Sequence, residues 1–178
     1  MSPENIKVDV QNNRPASTAA ADLLWQTLVS NGMLQLPVDI DKIAQLLSIE
    51  VCQGELRGDV SGILVKDEND GFQAVINSID PDVRQRFTLA HEIGHYIHRY
   101  QDYPHDAKAG MVEYRNEMSS LGTDPEEVWA NKFAAALLMP ANIVRKFWAE
   151  GRSRSEIAQI FHVSEAALQN RLNTLYLR

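Results

Sequence analysis

Apolar and polar positions divide the chain into stretches of helical and of strand character. Ala19, Leu23, Leu24, Leu28 and Val29 recur at helical spacing, and Gly32 marks where that helix stops. Pro37-Val38-Asp39 opens a second, short helix carrying Ile43, Ala44, Leu46 and Leu47. The character changes at Ile49, where three β-like runs follow at 49–52, 61–66 and 72–77. Between the last two, Asp70-Gly71 signals a hairpin, because both residues tolerate the positive φ of a tight turn. The expectation is a small three-stranded sheet, antiparallel or mixed.

Helical spacing returns at Asp80-Pro81-Asp82, with Asp80 as N-cap and Pro81 in the first turn, and continues to about Arg99. A polar connector fills 100–124, with a candidate short strand at 111–115 inside it. Thr123-Asp124-Pro125 starts another helix that runs to Met139. Beyond Pro140 the pattern stays helical: one segment to about Ala149, a second begun by the capping box Ser153-Arg154-Ser155-Glu156, and a last one capped by Ser164. The fold class is therefore α+β. Its expected organisation is a loose polar arm at 1–16, a main unit at 17–139 and a helical module at 140–178.

Composition narrows the function classes. The net charge of -7 argues against a chain that binds nucleic acid or membrane over its whole surface. The charge is uneven: residues 140–178 hold 6 Lys+Arg against 3 Asp+Glu, while 1–139 hold 11 against 21. Cys52, the one cysteine, allows no internal disulfide and reads as a small buried residue. The N-terminus shows no apolar signal core and no run approaches a membrane span, so the expected location is the cytoplasm.

The chemistry lies in His91-Glu92-Ile93-Gly94-His95. Residues four apart on a helix sit about 40° apart, one turn along, so His91 and His95 project from one face and can bind one metal ion. Glu92 lies about 100° from His91, where its carboxylate reaches a water on the metal rather than the metal itself. That is the layout of a zinc hydrolase, with two ligands and a general base on one turn. Phe87, Leu89, Ala90, Ile93 and Ile97 supply the apolar helix such a motif needs. The bland alternative is two surface histidines on an amphipathic helix. Gly94, lacking a side chain, would let another segment pack closely behind the metal.

A catalytic zinc usually takes a third protein ligand. His98 lies a further turn along, so its ring cannot easily converge with the other two, and it reads as a packing residue. Glu127, on the next long helix, shares a face with Asn131 beside an apolar stripe of Trp129, Phe133 and Leu137. However, Asp124-Pro125-Glu126-Glu127 is also a capping box, which would engage Glu127 locally and leave Glu126 as the ligand. Spacing leaves both open. Tyr96, Tyr103, Tyr114, His98, His105 and Arg115 are candidates to stabilise an oxyanion.

Residues 84–98, Arg84-Gln85-Arg86-Phe87-Thr88-Leu89-Ala90-His91-Glu92-Ile93-Gly94-His95-Tyr96-Ile97-His98, closely resemble the ImmA/IrrE family of metallopeptidases. So do residues 127–140, Glu127-Val128-Trp129-Ala130-Asn131-Lys132-Phe133 and onward to Met139-Pro140. The likeness covers roughly residues 20–175. It implies a zincin-like domain holding Zn2+ through His91, His95 and Glu127, with Glu92 as catalytic base. Trp129 departs from the family pattern, where relatives often carry another acidic residue. Family members typically cleave a helix-turn-helix repressor, in mobile elements or stress responses, and some belong to toxin-antitoxin-like pairs. The resemblance thus implies a protein substrate, a helix-turn-helix regulator or antitoxin encoded nearby.

Residues 157–168 themselves read like a helix-turn-helix, with Ala158 at the helix crossing and Val163 and Leu168 in its small core. His162 stands where a turn glycine is common. The would-be recognition helix carries a single cation, Arg171, too few for the phosphate contacts that DNA binding draws on. A docking or scaffold module is favoured over a DNA reader. The remaining alternatives are a non-catalytic metal-binding sensor, which would not need Glu92, and a DNA-binding regulator.

Overall fold

Why α1 (Ala16–Ser30) packs as it does is visible in its buried stripe of Ala20, Ala21, Leu24, Trp25 and Leu28. Trp25 takes the place that the sequence pattern gave to Leu23 and Val29, and Val29 is 53% exposed. Gly32, at φ +65°, ends the element in a conformation that favours glycine. These features belong to a computed structural model that describes residues 16–32, 35–66, 71–99, 112–115 and 124–178. The expected N-terminal arm, the first residue of the Asp70-Gly71 turn and most of the 100–124 connector lie outside the described residues.

Helix α2 (Ile40–Leu46) is capped by Asp39, whose carboxylate accepts from the Lys42 N–H at 2.9 Å. Strands β1 (Ile49–Gly54), β2 (Gly62–Lys66), β3 (Phe72–Asn77) and β4 (Val112–Arg115) form a four-stranded mixed sheet in the order β1-β3-β2-β4. β2 runs antiparallel to both neighbours, and β1 runs parallel to β3. The fourth strand is the short segment expected within the connector. Burial alternates along β2 and β3, turning Leu64, Phe72, Ala74 and Ile76 inward. Cys52, expected to be buried, is half-buried on β1.

Buried Asn77 closes the loop between β1 and β2. Its amide nitrogen donates to the Val60 carbonyl at 2.9 Å, and its side-chain oxygen accepts from the Leu56 N–H at 3.3 Å. A buried backbone group must find such a partner, so this side chain shapes the loop leading into β2.

Helix α3 (Asp82–Arg99) lies against the sheet and crosses α4 (Pro125–Leu138). The helices α5 (Ala141–Ala149), α6 (Arg154–Phe161) and α7 (Glu165–Thr174) complete the chain. The Ser153–Glu156 capping box forms as the pattern predicts, and the Ser164 hydroxyl accepts from the Ala167 N–H at 3.1 Å. His162 adopts φ +53°, the left-handed conformation that glycine would supply more cheaply, and its ring pairs with Asp82 on α3. No helix among the described residues is long and apolar enough to cross a membrane.

The C-terminal end of α4 is held from two sides. Trp25 on α1 donates from its indole to the Leu137 carbonyl at 2.7 Å, and Arg171 on α7 donates to the Met139 carbonyl at 2.9 Å. A cation at a helix C-terminus also meets the negative end of the helix dipole. Arg171 is only 5% exposed. Burial lowers its pKa, against the opposing charge of Asp22. The sole cation of the expected recognition helix is therefore turned into the protein.

Arg171→Ala is expected to lower stability by about 2 kcal/mol, since it strands a buried carbonyl and removes a charge-assisted hydrogen bond. Urea denaturation at unchanged m-value measures this, and a loss below about 0.5 kcal/mol would contradict the anchoring role.

Candidate metal centre

His91 and His95 project from one face of α3 and are 0% and 4% exposed. Their Nε2 atoms lie 2.9 Å apart. Glu127, at the start of α4, brings Oε1 to 3.1 Å from His95 Nε2 and Oε2 to 3.3 Å from His91 Nε2. Among the described residues these three are the group whose ligand atoms converge as a metal would require.

The spacing can be tested against a zinc ion. Bonds of about 2.0–2.1 Å in a tetrahedron put ligand atoms about 3.3 Å apart. The observed 2.9–3.3 Å fits that edge length with a small expansion. The donor set points the same way, because two imidazoles and a carboxylate suit zinc, whereas calcium and magnesium prefer oxygen ligands throughout.

The tautomer of His91 is set by Asn131. Its side-chain oxygen lies 3.0 Å from His91 Nδ1 and can only accept, so Nδ1 carries a hydrogen and Nε2 is the ring atom that faces the shared point. Burial alone would raise the pKa of Glu127, but hydrogen bonds from His91 and His95 outweigh it and hold the carboxyl well below its usual range. The centre thus contains a carboxylate, not a carboxylic acid.

The two glutamates at the helix start face different surroundings. Asp124 caps α4 by accepting from the Glu126 N–H at 2.9 Å. Glu127 turns to the histidines, and Glu126 is not in the converging group. His98 is exposed and lies tilted against Trp129, ring centroids 4.5 Å apart, while Trp129 stacks on Phe133 at 5.6 Å. The tryptophan that departs from the family pattern is thus seated among aromatic rings. Tyr96, one of the oxyanion candidates, is buried with its ring edge-on to Phe72 at 5.0 Å. Tyr103, His105 and the side chains of Tyr114 and Arg115 lie outside the described residues.

Gly94 makes the crossing possible. A Cβ there would meet Phe133 Cδ1 at 3.0 Å and the Ala130 Cα at 3.3 Å. The backbone of α4 therefore lies directly on α3 one turn beyond Glu127. Glu92 is 1% exposed and lies against β2, where a Cβ on Gly62 would come within 3.1 Å of its Oε1. Two contributors were not singled out in sequence, the role of Asn131 and the presence of Gly62. Asn131 carried a usable signal, standing one helical turn after Glu127. Gly62 carried none.

A His-Glu-x-x-His helix facing a carboxylate on a second helix, beside a small mixed sheet, defines the zincin-like class of metallopeptidase folds. Within that class the chain belongs to the M78 peptidase family, since residues 70–173 match the family model described as the IrrE N-terminal-like domain. It is 39% identical over 101 residues to the radiation response metalloprotease IrrE of Deinococcus radiodurans. That match takes in 52% of this chain and 28% of the relative, so the chain spans well under half of the relative's length. A solved structure described as a Mycobacterium tuberculosis transcriptional regulator superposes with a TM-score of 0.58 at 16% identity. The superposition covers 96% of this chain and 50% of that one, a likeness of fold.

Gly94→Ala pits a helix-propensity gain of about 1 kcal/mol against overpacking of about 1–3 kcal/mol. The backbone contact to Ala130 cannot relax as a side chain can, so a net loss near 1 kcal/mol is expected by thermal or urea unfolding. A stabilised Gly94→Ala protein would show that the helices are not in close approach.

Proposed function

We propose that this chain is a zinc-dependent endopeptidase acting on a regulatory protein. The observation that carries the reading is the convergence of His91, His95 and Glu127 within 2.9–3.3 Å of one another, with Glu92 next in sequence to the first ligand. In this reading the three hold Zn2+ and Glu92 is the catalytic base. The bound zinc supplies Lewis acidity and lowers the pKa of a water to about 7.

The chain's own residues do the rest. Asn131 keeps His91 in the ligating tautomer. Glu92 takes the proton of the attacking water and returns it to the departing amine. Family resemblance supports a helix-turn-helix repressor or antitoxin encoded nearby as substrate. Residues 17–139 form the peptidase unit, and 140–178 a helical module for scaffolding or docking. The burial of Arg171 favours that role over DNA reading, as it leaves α7 without a cation to offer phosphates.

Co-expression with the neighbouring helix-turn-helix protein tests the activity. Site-specific cleavage is expected, and Glu92→Gln should lower its rate by roughly 100-fold or more while zinc content is kept. Equal processing by both proteins, or by neither, would remove the proposal.

The ligand set has its own test. Glu127→Gln is expected to lose zinc on dialysis while Glu126→Gln retains it, and Asn131→Ala should weaken zinc affinity by roughly 10–100-fold. Metal analysis and chelator competition read all three, and the reverse order for the two glutamates would reassign the third ligand.

A further inference from the structure

We propose that Gly62 is a positioning residue for Glu92: its missing side chain lets β2 lie against α3 so closely that the carboxylate of the base is held in one place. This rests on the endopeptidase reading above, which gives Glu92 its role.

Gly62 is buried and does not occupy the positive-φ region, so its backbone conformation does not require glycine. Space does. A Cβ at this position would lie 2.3 Å from Thr88 Cγ2, 3.1 Å from Glu92 Oε1 and 3.6 Å from Glu92 Cγ. Thr88 and Glu92 are successive turns of one α3 face, and β2 runs across both.

Neither side can retreat easily. Gly62 is paired with Ile76 on β3 and with Arg115 on β4, so the strand is engaged at both edges. The residue before it is pinned as well. The Ser61 carbonyl accepts from the Asn77 N–H at 2.9 Å, and the Ser61 hydroxyl accepts from Arg84 Nε at 2.9 Å. On the helix, Thr88 is fully buried, and a β-branched side chain in a helix has few rotamers to move into. The most mobile of the three partners is the Glu92 side chain. A methyl group at position 62 would therefore act on the carboxylate, displacing the base while the ligand atoms of His91, His95 and Glu127 stay in place.

The contact with Thr88 concerns packing and the contact with Glu92 concerns the base, and one substitution separates them. Thr88→Ser removes the methyl that lies 2.3 Å from the added Cβ and leaves the Glu92 contact. Gly62→Ala is expected to lower Tm, and Gly62→Ala with Thr88→Ser to recover it, with zinc affinity at the wild-type level in both. If Gly62→Ala is too unstable to purify, the double variant is the one read. Its kcat on the cleaved regulator should stay roughly 3- to 10-fold below wild type, as displacement of the carboxylate by a few tenths of an ångström predicts where about 1 Å costs roughly 100-fold. KM should change by no more than about two-fold.

A second readout needs no turnover. The carboxyl-carbon NMR resonance of Glu92, identified by its loss in Glu92→Gln, should move in the double variant relative to Thr88→Ser. A double variant with wild-type kcat and an unmoved resonance would overturn the proposal. So would one that stays as unstable as Gly62→Ala, because the limit would then be backbone and not these side chains. If the wild-type protein cleaves no regulator, the endopeptidase reading fails, and the resonance still decides the role of Gly62.

Discussion

The approach of α4 onto α3 governs whether any site exists here. Helix axes usually lie 8–10 Å apart, separated by their side chains. A glutamate on one helix then meets a histidine pair on the other only where that separation is locally reduced. Gly94 and Ala130 provide the reduction, with Cβ-range contact between their backbones. Phe133 packs against the same side of the glycine, and the ring contacts of His98 with Trp129 and of Trp129 with Phe133 extend the contact along α4. The packing of small residues at one point and large aromatic ones beside it sets both the distance and the rotation of α4. Both are needed for Glu127 to reach two rings at once.

That placement gathers polar groups where desolvation is costly. Two buried imidazoles and a partly buried carboxylate would be unfavourable if each stood apart. Together they compensate, since the rings hold the glutamate ionised and Asn131 satisfies the hydrogen that His91 directs away from the centre. Glu92 is buried on the strand side of the same helix. The two faces of α3 thus carry separate duties: one meets α4 and converges with Glu127, the other meets β2 and holds Glu92.

Much of this was legible in the amino-acid order, for identifiable reasons. The helical period from Asp82 to Arg99, the four-residue spacing of the histidines and the apolar flanks of the motif are local signals, and α3 follows from them directly. The choice between Glu126 and Glu127 was not local in the same way. It depends on whether the Glu127 carboxylate folds back onto the helix start, as a capping box would have it, or reaches across to the histidines, as it does here. The sheet shows a similar divide. The β2–β3 hairpin is announced by its turn dipeptide, but nothing near β1 announces that it pairs in parallel on the far edge of β3. In α1, counting apolar residues favoured Val29, whereas the indole of Trp25 gains a partner in the Leu137 carbonyl and takes the inner position. Gly62 was silent because a glycine needed for space looks no different from one needed for a turn.

The anchoring of α4 bears on the order in which the molecule can be made. Its last carbonyls are satisfied by Trp25, 112 positions earlier in the chain, and by Arg171, 32 positions later. As a chain leaves the ribosome, the His-Glu-x-x-His helix and the Glu127 helix both emerge before the segment that holds the second of them in place. Synthesis and final assembly are thereby separated in time, and a truncated translation product ending before α7 carries every residue of the centre without the clamp that fixes its geometry.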